Sequence, residues 1–316
     1  MRTFRYYSVE LVLVAILGGA VAYFGYLLYG LLGPSYSLEP FSGERARYYL
    51  GQQLGFGPRV PGSEASMQTR DWLSADLSER LWDVIIQPYA LSDSVTLNNI
   101  IAQKGDGPET GPVIILSTHY DSRIASDRDA DEEKRSIPTP GANAGASGTA
   151  LLLELARVLD VEKSNVTVCL VFFDGEDNGG LPGWQYALGS ETFVQRLATD
   201  TPRCSSPSVA IYLDLVASAD ANIAAVEPDS QSIVDALRET AHKLGYGEQF
   251  RGPQVRDEVD ALTHFTEAGI PAVMLADLGY DYRHTTSDTL DKTEASTLQQ
   301  LGDILKSWIE AGAESR

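Results

Sequence analysis

The 316-residue sequence is short of cysteine, histidine and basic charge, and each shortage limits what the protein can be. Its two cysteines, Cys169 and Cys204, form no CxxC or Cys/His zinc-finger spacing. Only 24 lysines and arginines stand against 44 acidic residues, which gives a formal net charge of -20. Because nucleic acids and anionic membrane surfaces attract cationic proteins, we expect no nucleic-acid partner.

The cysteines and histidines are few enough to judge one by one. Cys169 lies inside an apolar run, where we expect an inert core thiol. Its spacing to Cys204 neither implies nor excludes a disulfide. The four histidines are His119, His242, His264 and His284.

The N-terminal segment carries a long uncharged run. Arg2 and Arg5 precede residues 11–32, which contain no charge and end without a small-residue cleavage site. A run of this length spans a bilayer, and the preceding arginines place the N terminus in the cytoplasm. A buried core helix is the alternative. We therefore expect a cytoplasmic N terminus at 1–8, a transmembrane signal anchor at 9–33, a linker at 34–42 and an extracytoplasmic domain at 43–316.

Residues 166–178, VTVCLVFFDGEDN, predict the central strand of the fold. The apolar run is rich in β-branched and aromatic residues, which is typical of a strand buried on both faces. It ends abruptly at Asp174, Glu176 and Asp177. Ligands bind at the carboxyl ends of strands in open α/β sheets, so we expect Glu176 and Asp177 to face a metal site. A solvated acidic turn is the alternative.

Helical and strand-like segments alternate along the remaining chain. Helices are predicted at residues 43–53, 63–81, 147–159, 190–198, 230–244 and 294–311, and strands at 84–87, 97–102, 113–118, 208–213, 223–226 and 271–275. The helix at 147–159 is predicted to be amphipathic. The alternation predicts an α/β fold with a mainly parallel sheet, and the long charged loop at 123–140 is a candidate functional segment.

Candidate metal ligands follow three of the predicted strands. They are His119, Asp121, Glu176, Asp177 and Asp214, with His284 in a loop before the last helix. Imidazole and carboxylate are the usual ligands of catalytic zinc. Asp121, two residues after His119, could accept the second ring N–H, and a carboxylate beside the metal can act as a general base. A satisfied core histidine and a helix cap are the ordinary alternatives for His119 and Asp214.

From about residue 42 to 305 the chain resembles the M28 zinc aminopeptidases and the glutaminyl cyclases that share their fold. The matching pieces, in order, are GPRVPGS (57–63), STHYDSR (117–123), PGANAGASGTALLLELARVL (140–159), VFFDGEDNG (171–179), LPGWQYALGS (181–190), YLDLV (212–216), EAGIPAV (267–273) and YRHTTSDTLDK (282–292). The resemblance implies a three-layer αβα domain with a mainly parallel mixed central sheet. The FFDGED and PGW pieces look closer to the bacterial cyclase-like branch.

The resemblance also implies a metal site of one or two zinc ions. Asp177 and His284 would bind the primary zinc. His119 would bind a second zinc where one is present. Asp214 would bind that second ion or, in one-zinc members, form a hydrogen bond with the substrate.

Four other residues receive roles from the same resemblance. Glu176 would be the general acid and base, and Asp121 would stand behind the first histidine. Trp184 would line the substrate pocket, where Asp260 also keeps its place in the family pattern.

The sequence departs from that pattern in three places. Where members carry a zinc-binding aspartate before the helix, this sequence has Ala144, and alanine binds no metal. The primary site keeps two protein ligands where three are usual, so we expect weakened zinc binding. Ala261 and Leu262 follow Asp260 where members often have Asp-His, and Arg283 stands where cyclase-like members commonly have tryptophan.

Three functions follow as hypotheses. The leading one is a membrane-anchored extracytoplasmic zinc exopeptidase acting on peptide N termini, with water activated by zinc and Glu176 as the general base. One alternative is a glutaminyl-peptide cyclotransferase, in which Glu176 would move a proton from the α-amine to the leaving ammonia. The other is a peptide-binding pseudoenzyme, which Ala144, Ala261 and Leu262 favour and the intact ligand positions oppose.

Overall fold

The computed structural model describes residues 40–219, 223–226, 230–247 and 260–313, and nearer the N terminus residues 14, 17–20 and 23–24. Contacts divide the chain into two units, Met1–Glu39 and Pro40–Arg316. The described residues of the first unit are helical, and the predicted anchor at 9–33 otherwise lies outside the described residues. Within the part of the chain that the structure describes, no helix is long and apolar enough to cross a membrane.

The second unit alternates helices and strands, largely where the sequence predicts them. Helices α1 to α8 are Gly43–Gly55, Glu64–Glu79, Ala146–Val158, Val161–Ser164, Leu188–Asp200, Gln231–Leu244, Ala261–Glu267 and Ala295–Glu310. Strands β1 to β7 are Asp83–Ser92, Val95–Lys104, Val113–His119, Thr167–Phe173, Val209–Asp214, Ala224–Val226 and Ala272–Ala276. Ser42 and Ser63 cap α1 and α2 by accepting N–H bonds from the first turn of each helix. The short helix α7 is not predicted from the sequence.

The strands form one seven-stranded sheet in the order β1-β2-β4-β3-β5-β7-β6. β3 pairs in parallel with β4 and β5, and β5 pairs in parallel with β7. The pairs β1 with β2, β2 with β4 and β6 with β7 are antiparallel. The sheet is mixed: β1, β4, β3, β5 and β7 run in one direction, and β2 and the edge strand β6 run against them. The strands β4, β3 and β5 are neighbours, as predicted, so their carboxyl ends meet at one edge.

Apolar side chains fill both faces of the sheet. Along β4, Val168, Leu170 and Phe172 join one cluster, and Cys169, Val171 and Phe173 join the other. Helices α1, α2, α3, α6 and α8 contribute to the first cluster, and α5 and α7 to the second. The predicted three layers are therefore present.

Helix α3 is not the amphipathic helix that the sequence predicts. Every residue in it except Arg157 is buried, because α1 and α8 pack over it and the sheet lies beneath. Its one acid, Glu154, is also buried and accepts hydrogen bonds from Arg157 and from the N–H of Ser42. Because these donors satisfy its carboxylate, Glu154 can be buried in the core despite its charge.

Cys169 is bonded to Cys204, so the expectation of an inert core thiol is wrong. Cys204 lies in the 3-10 helix Pro202–Cys204, directly after α5, and both cysteines are fully buried. The bond ties the end of α5 to the central strand β4.

Candidate active site

The ends of three neighbouring strands bring the predicted site residues together. His119 and Asp214 are the last residues of β3 and β5, and Glu176 and Asp177 lie in the turn after β4. His284 comes from the loop between β7 and α8 and has a left-handed backbone, with φ of 60°. These five buried side chains line one cavity of about 200 Å³.

His119 lies between two carboxylates. Its Nδ1 is 3.2 Å from Oδ1 of Asp121, and its Nε2 is 3.4 Å from Oδ1 of Asp214. Burial by itself would lower the pKa of His119, but the two carboxylates raise that pKa well above its usual value. The pairing at Nδ1 orients the ring, as expected from the sequence.

Asp121 organises the turn after β4 from behind. Its carboxylate accepts hydrogen bonds from the backbone N–H groups of Glu176 and Asp177 and from the side-chain amide of Asn178. It is fully buried and is not among the described residues that line the cavity. Asp121 thus lies behind His119 and the turn, and we expect it to act through them as a positioning residue although the sequence also made it a candidate catalytic residue.

His284 and Asp177 form the second pair, with Nε2 2.8 Å from Oδ1. Burial would raise the pKa of Asp177, but the charge of His284 holds it well below its usual range. The other oxygen of Asp177, Oδ2, is buried and has no hydrogen-bond partner. An unpartnered carboxylate oxygen beside an imidazole suits a cation.

Glu176 is held at one oxygen and open at the other. Its Oε1 accepts a hydrogen bond from the N–H of Ser190, in the first turn of α5, and its buried Oε2 has no partner. Burial is the main cause that raises the pKa of Glu176 to about 8. A carboxyl group positioned in this way can take up and release a proton at Oε2.

Ala144 lies at the site and offers no ligand. Its methyl group is buried in a small cluster with Leu215 and Tyr280. A Cβ placed on the next residue, Gly145, would lie 3.3 Å from Cε1 of His119. The segment where family members carry an aspartate therefore runs directly beside the first histidine.

The two predicted pocket residues differ in outcome. Asp260 lines the cavity, and its side chain also caps α7 by accepting the N–H of Thr263. Trp184 is half-buried and is not among the described residues that line the cavity. Tyr186, two positions later, does line it, with its ring against Gly179. The aromatic ring of this segment that lines the cavity is thus that of Tyr186, whereas the resemblance implies Trp184.

Sequence patterns missed Arg59, which joins two parts of the site. Its fully buried guanidinium donates to the backbone carbonyls of Tyr120, Pro140 and Gly141. Burial lowers the pKa of Arg59 to about 10. The arginine thereby ties the end of β3 to the segment before α3. An arginine inside the Gly/Pro-rich piece GPRVPGS was the available signal, since a buried charge requires several partners.

The long charged loop at 123–140 is attached to the site by two side chains. Arg123 donates to the backbone carbonyl of Asp177 and pairs with Asp127. Asp129 accepts hydrogen bonds from the N–H and the hydroxyl of Thr286. The loop thus holds both the turn that carries Asp177 and the loop that carries His284.

The side chains at the site are of the types that bind zinc, but each candidate position has too few of them. The unpartnered buried oxygens of Glu176 and Asp177 and the two imidazoles are groups that bind zinc. Among the described residues, no group of three His, Cys, Asp or Glu side chains is arranged to hold a metal ion. The pairs Asp177–His284 and His119–Asp214 each supply two of the three protein ligands usual for catalytic zinc.

Solved structures of the same fold include enzymes of two kinds. A Zn-dependent exopeptidase from Parabacteroides distasonis is 26% identical with a TM-score of 0.74, and the match covers 86% of this chain and 99% of that one. The glutaminyl cyclase of Fimbriiglobus ruber is 28% identical with a TM-score of 0.76, covering 86% and 96%.

Curated relatives share only part of their length with this chain. A probable zinc metalloprotease of Leptosphaeria maculans is 29% identical over 48% of this chain and 38% of its own length. Aminopeptidase YwaD of Bacillus subtilis is 24% identical over 68% of this chain and 44% of its own. This chain therefore spans less than half the length of these two relatives.

The site described above falls largely within one family match. Residues 99–309, more than half of the chain, match the sequence model of peptidase family M28. This range contains β3, β4 and β5 and the loop of His284. The chain belongs to peptidase family M28.

Proposed function

We propose that the chain is a zinc-dependent exopeptidase that removes residues from the N terminus of peptides. The observation that carries the proposal is Glu176, fixed at Oε1 by Ser190 and unpartnered at Oε2, in one cavity with His119 and Asp177. At about 200 Å³ the cavity is small for a ligand site, which suits a terminal residue more than an internal stretch of peptide. The similarity to a probable zinc metalloprotease and to an aminopeptidase supports the same reaction.

The residues that would hold zinc are Asp177, His284, His119 and Asp214. Zinc, when bound, supplies a Lewis acid for the scissile carbonyl. Glu176 takes the proton of the attacking water and returns it to the leaving amine. Asp260, which lines the same cavity, provides an anion for the α-ammonium group of the substrate.

The test is release of the N-terminal amino acid from a peptide panel by the zinc-loaded chain, with Glu176→Gln as the variant. Loss of the general base should lower kcat by about a hundredfold to ten-thousandfold. The exposed Glu109→Gln makes the same charge change away from the cavity and should keep full activity. Equal turnover by wild type and Glu176→Gln would remove Glu176 from the mechanism.

Cyclisation of N-terminal glutamine is the second candidate. The similarity to a solved glutaminyl cyclase at a TM-score of 0.76 favours it. On that route Glu176 passes a proton from the α-amine to the leaving ammonia. A peptide that begins with glutamine separates the two reactions, since hydrolysis releases free glutamine and cyclisation releases ammonia and leaves pyroglutamate.

A peptide-binding protein without catalysis is the third candidate, and Ala144 is the observation that favours it. If the chain is such a binding protein, purified protein dialysed against zinc should hold well under one zinc ion per chain. Elemental analysis of the zinc-to-protein ratio decides between this candidate and the two enzymes.

Membrane attachment and an extracytoplasmic position are part of the proposal. The uncharged residues 11–32 after Arg2 and Arg5 support the anchor and its orientation. The disulfide between Cys169 and Cys204 supports an oxidising compartment. Protease added to intact cells should degrade the domain at 43–316, and complete protection of that domain would reject this orientation.

A further inference from the structure

The walls of the active-site cavity are almost entirely polar. The described residues that line it are five carboxylic acids, two histidines, two tyrosines, two glycines and the arginines Arg123, Arg128 and Arg283. None of them has an aliphatic side chain, and two tyrosine rings are the only large apolar surfaces among them. A leucine or valine side chain would therefore leave charged groups without water or partners, which is unfavourable.

Opposite charges occupy different depths of this cavity. Asp177 and Asp214 are buried, whereas Arg283 is half-buried and Arg128 is exposed. Both arginines are attached to the loop of His284. Arg283 directly precedes His284 in the chain, and the backbone N–H of Arg128 donates to the backbone carbonyl of His284. The deep end of the cavity is thus anionic and the outer end carries cations.

The third arginine of the cavity is engaged within the protein. Arg123 is buried, its Nε and Nη2 bind both oxygens of Asp127, and its Nη1 binds the backbone after β4. The carboxylate of Asp127 balances the charge of Arg123. Burial by itself would raise the pKa of Asp127, but Arg123 holds that pKa below its usual value. Arg123 therefore supports the wall. Arg128 and Arg283 line the cavity nearer to solvent.

We propose that the cavity selects a substrate bearing a carboxylate, which Arg283 binds with help from Arg128, while the α-ammonium group meets the buried carboxylate of Asp260. This inference rests on the proposed exopeptidase function and names its substrate class. The carboxylate belongs either to an acidic first side chain or to the C terminus of a dipeptide. A guanidinium binds either one through paired N–H bonds. The tryptophan common in cyclase-like members has no such charge.

The experiment measures kcat/KM of the zinc-loaded full chain on two matched pairs of peptides. Asp-Ala-amide against Asn-Ala-amide tests a side-chain carboxylate, and Ala-Ala against Ala-Ala-amide tests a terminal one. One charge-assisted contact should favour the carboxylate member of one pair by roughly tenfold to a hundredfold. The preference should weaken as salt is added, because the outer arginines are solvent-accessible.

Variants assign the preference to Arg283. Arg283→Gln should bring the favoured pair to near equality, mainly through KM, and Arg283→Lys should keep part of the preference. Arg70→Gln is the matched control, since Arg70 lies in α2 and does not line the cavity. Equal kcat/KM within both pairs, or a preference that survives Arg283→Gln, overturns the proposal.

Failure of the proposed function gives a different result. If no peptide is hydrolysed, the same four peptides are compared by calorimetric binding to the wild-type chain. A carboxylate preference that is lost in Arg283→Gln then supports the inference without catalysis, and equal affinities overturn it.

Discussion

Asp121 places one carboxylate oxygen 3.2 Å from Nδ1 of His119 and also accepts the N–H groups of Glu176 and Asp177. One buried carboxylate therefore sets both the ring at the end of β3 and the turn after β4. The contact at Nδ1 fixes the orientation of the ring, and Nε2 then faces Asp214. The geometry of the site thus depends on a residue that does not reach the cavity.

The first prediction is that Asp121→Asn weakens zinc binding without unfolding the protein. The amide keeps the size of the side chain but has one acceptor oxygen for several donors. Partners of this kind typically change metal affinity by about 10–100-fold. Zinc affinity measured by competition with a chelator gives the result, and Asp71→Asn on the exposed face of α2 is the control. Unchanged affinity would show that His119 is oriented by other contacts.

Local pattern was sufficient to predict the central part of the fold. The run before Asp174 is apolar on both faces, so it predicts a buried strand whichever way its neighbours pair. Ligand candidates at the ends of three such runs then predict adjacent parallel strands, and β4, β3 and β5 are adjacent. The spacing of His119 and Asp121 likewise predicts their contact, because the two residues are close in the chain.

Features that depend on distant residues could not be predicted in this way. The bond between Cys169 and Cys204 joins β4 to a 3-10 helix 35 residues away. Arg59 binds carbonyls more than 60 residues further along the chain. Helix α3 looks amphipathic because it contains Glu154, yet the ion pair with the partly exposed Arg157 lets that acid enter the core. Each case depends on tertiary contacts that override local pattern.

The second prediction concerns the disulfide. Replacing both Cys169 and Cys204 by alanine should lower the free energy of unfolding by about 2–4 kcal/mol, because the bond restricts the unfolded chain. Urea denaturation of the double variant and of wild type measures the difference. Wild type unfolded with a reductant present should lose a similar amount. A loss under about 1 kcal/mol in both experiments would mean that the bond adds little beyond the packing of β4.

The third prediction concerns pH and Asp174. Burial, and next the charge of Asp121, raise the pKa of Asp174 to about 7 from 3.8. The folded protein therefore favours the protonated form, and stability from this group is full below pH 3.8 and is lost as pH rises through 7. In Asp174→Asn that loss should disappear, while the amide oxygen can still accept from Tyr120 and Asn98.

Urea denaturation at pH 5 and pH 8 in the presence of a chelator measures the effect of Asp174→Asn. Between these two pH values wild type should lose more stability than the variant, by an amount on the order of 1 kcal/mol or more. Asp93→Asn, in the exposed turn between β1 and β2, should behave as wild type. Parallel pH dependence in wild type and Asp174→Asn would show that this carboxyl group is not the source.

The last prediction is that Ala144→Asp changes stability in opposite directions without and with zinc. The methyl group of Ala144 is buried against Leu215 and Tyr280, so a carboxylate there loses its hydration when no metal is bound. The metal-free variant should therefore unfold more easily than wild type, by about 1–3 kcal/mol. Zinc should reverse the order, because the new carboxylate completes three protein ligands with Asp177 and His284.

Zinc affinity and turnover separate the two consequences of Ala144→Asp. Affinity by chelator competition should rise by roughly a hundredfold or more, since a direct ligand contributes more than the outer partners whose loss costs 10–100-fold. Ala144→Asn is the matched control, because a neutral amide of the same size should not reproduce the gain. Peptidase activity should rise with occupancy if the cavity is otherwise competent. If Ala144→Asp binds zinc no better than wild type, the side chain at position 144 does not reach the metal, and the weakness of the site has another cause.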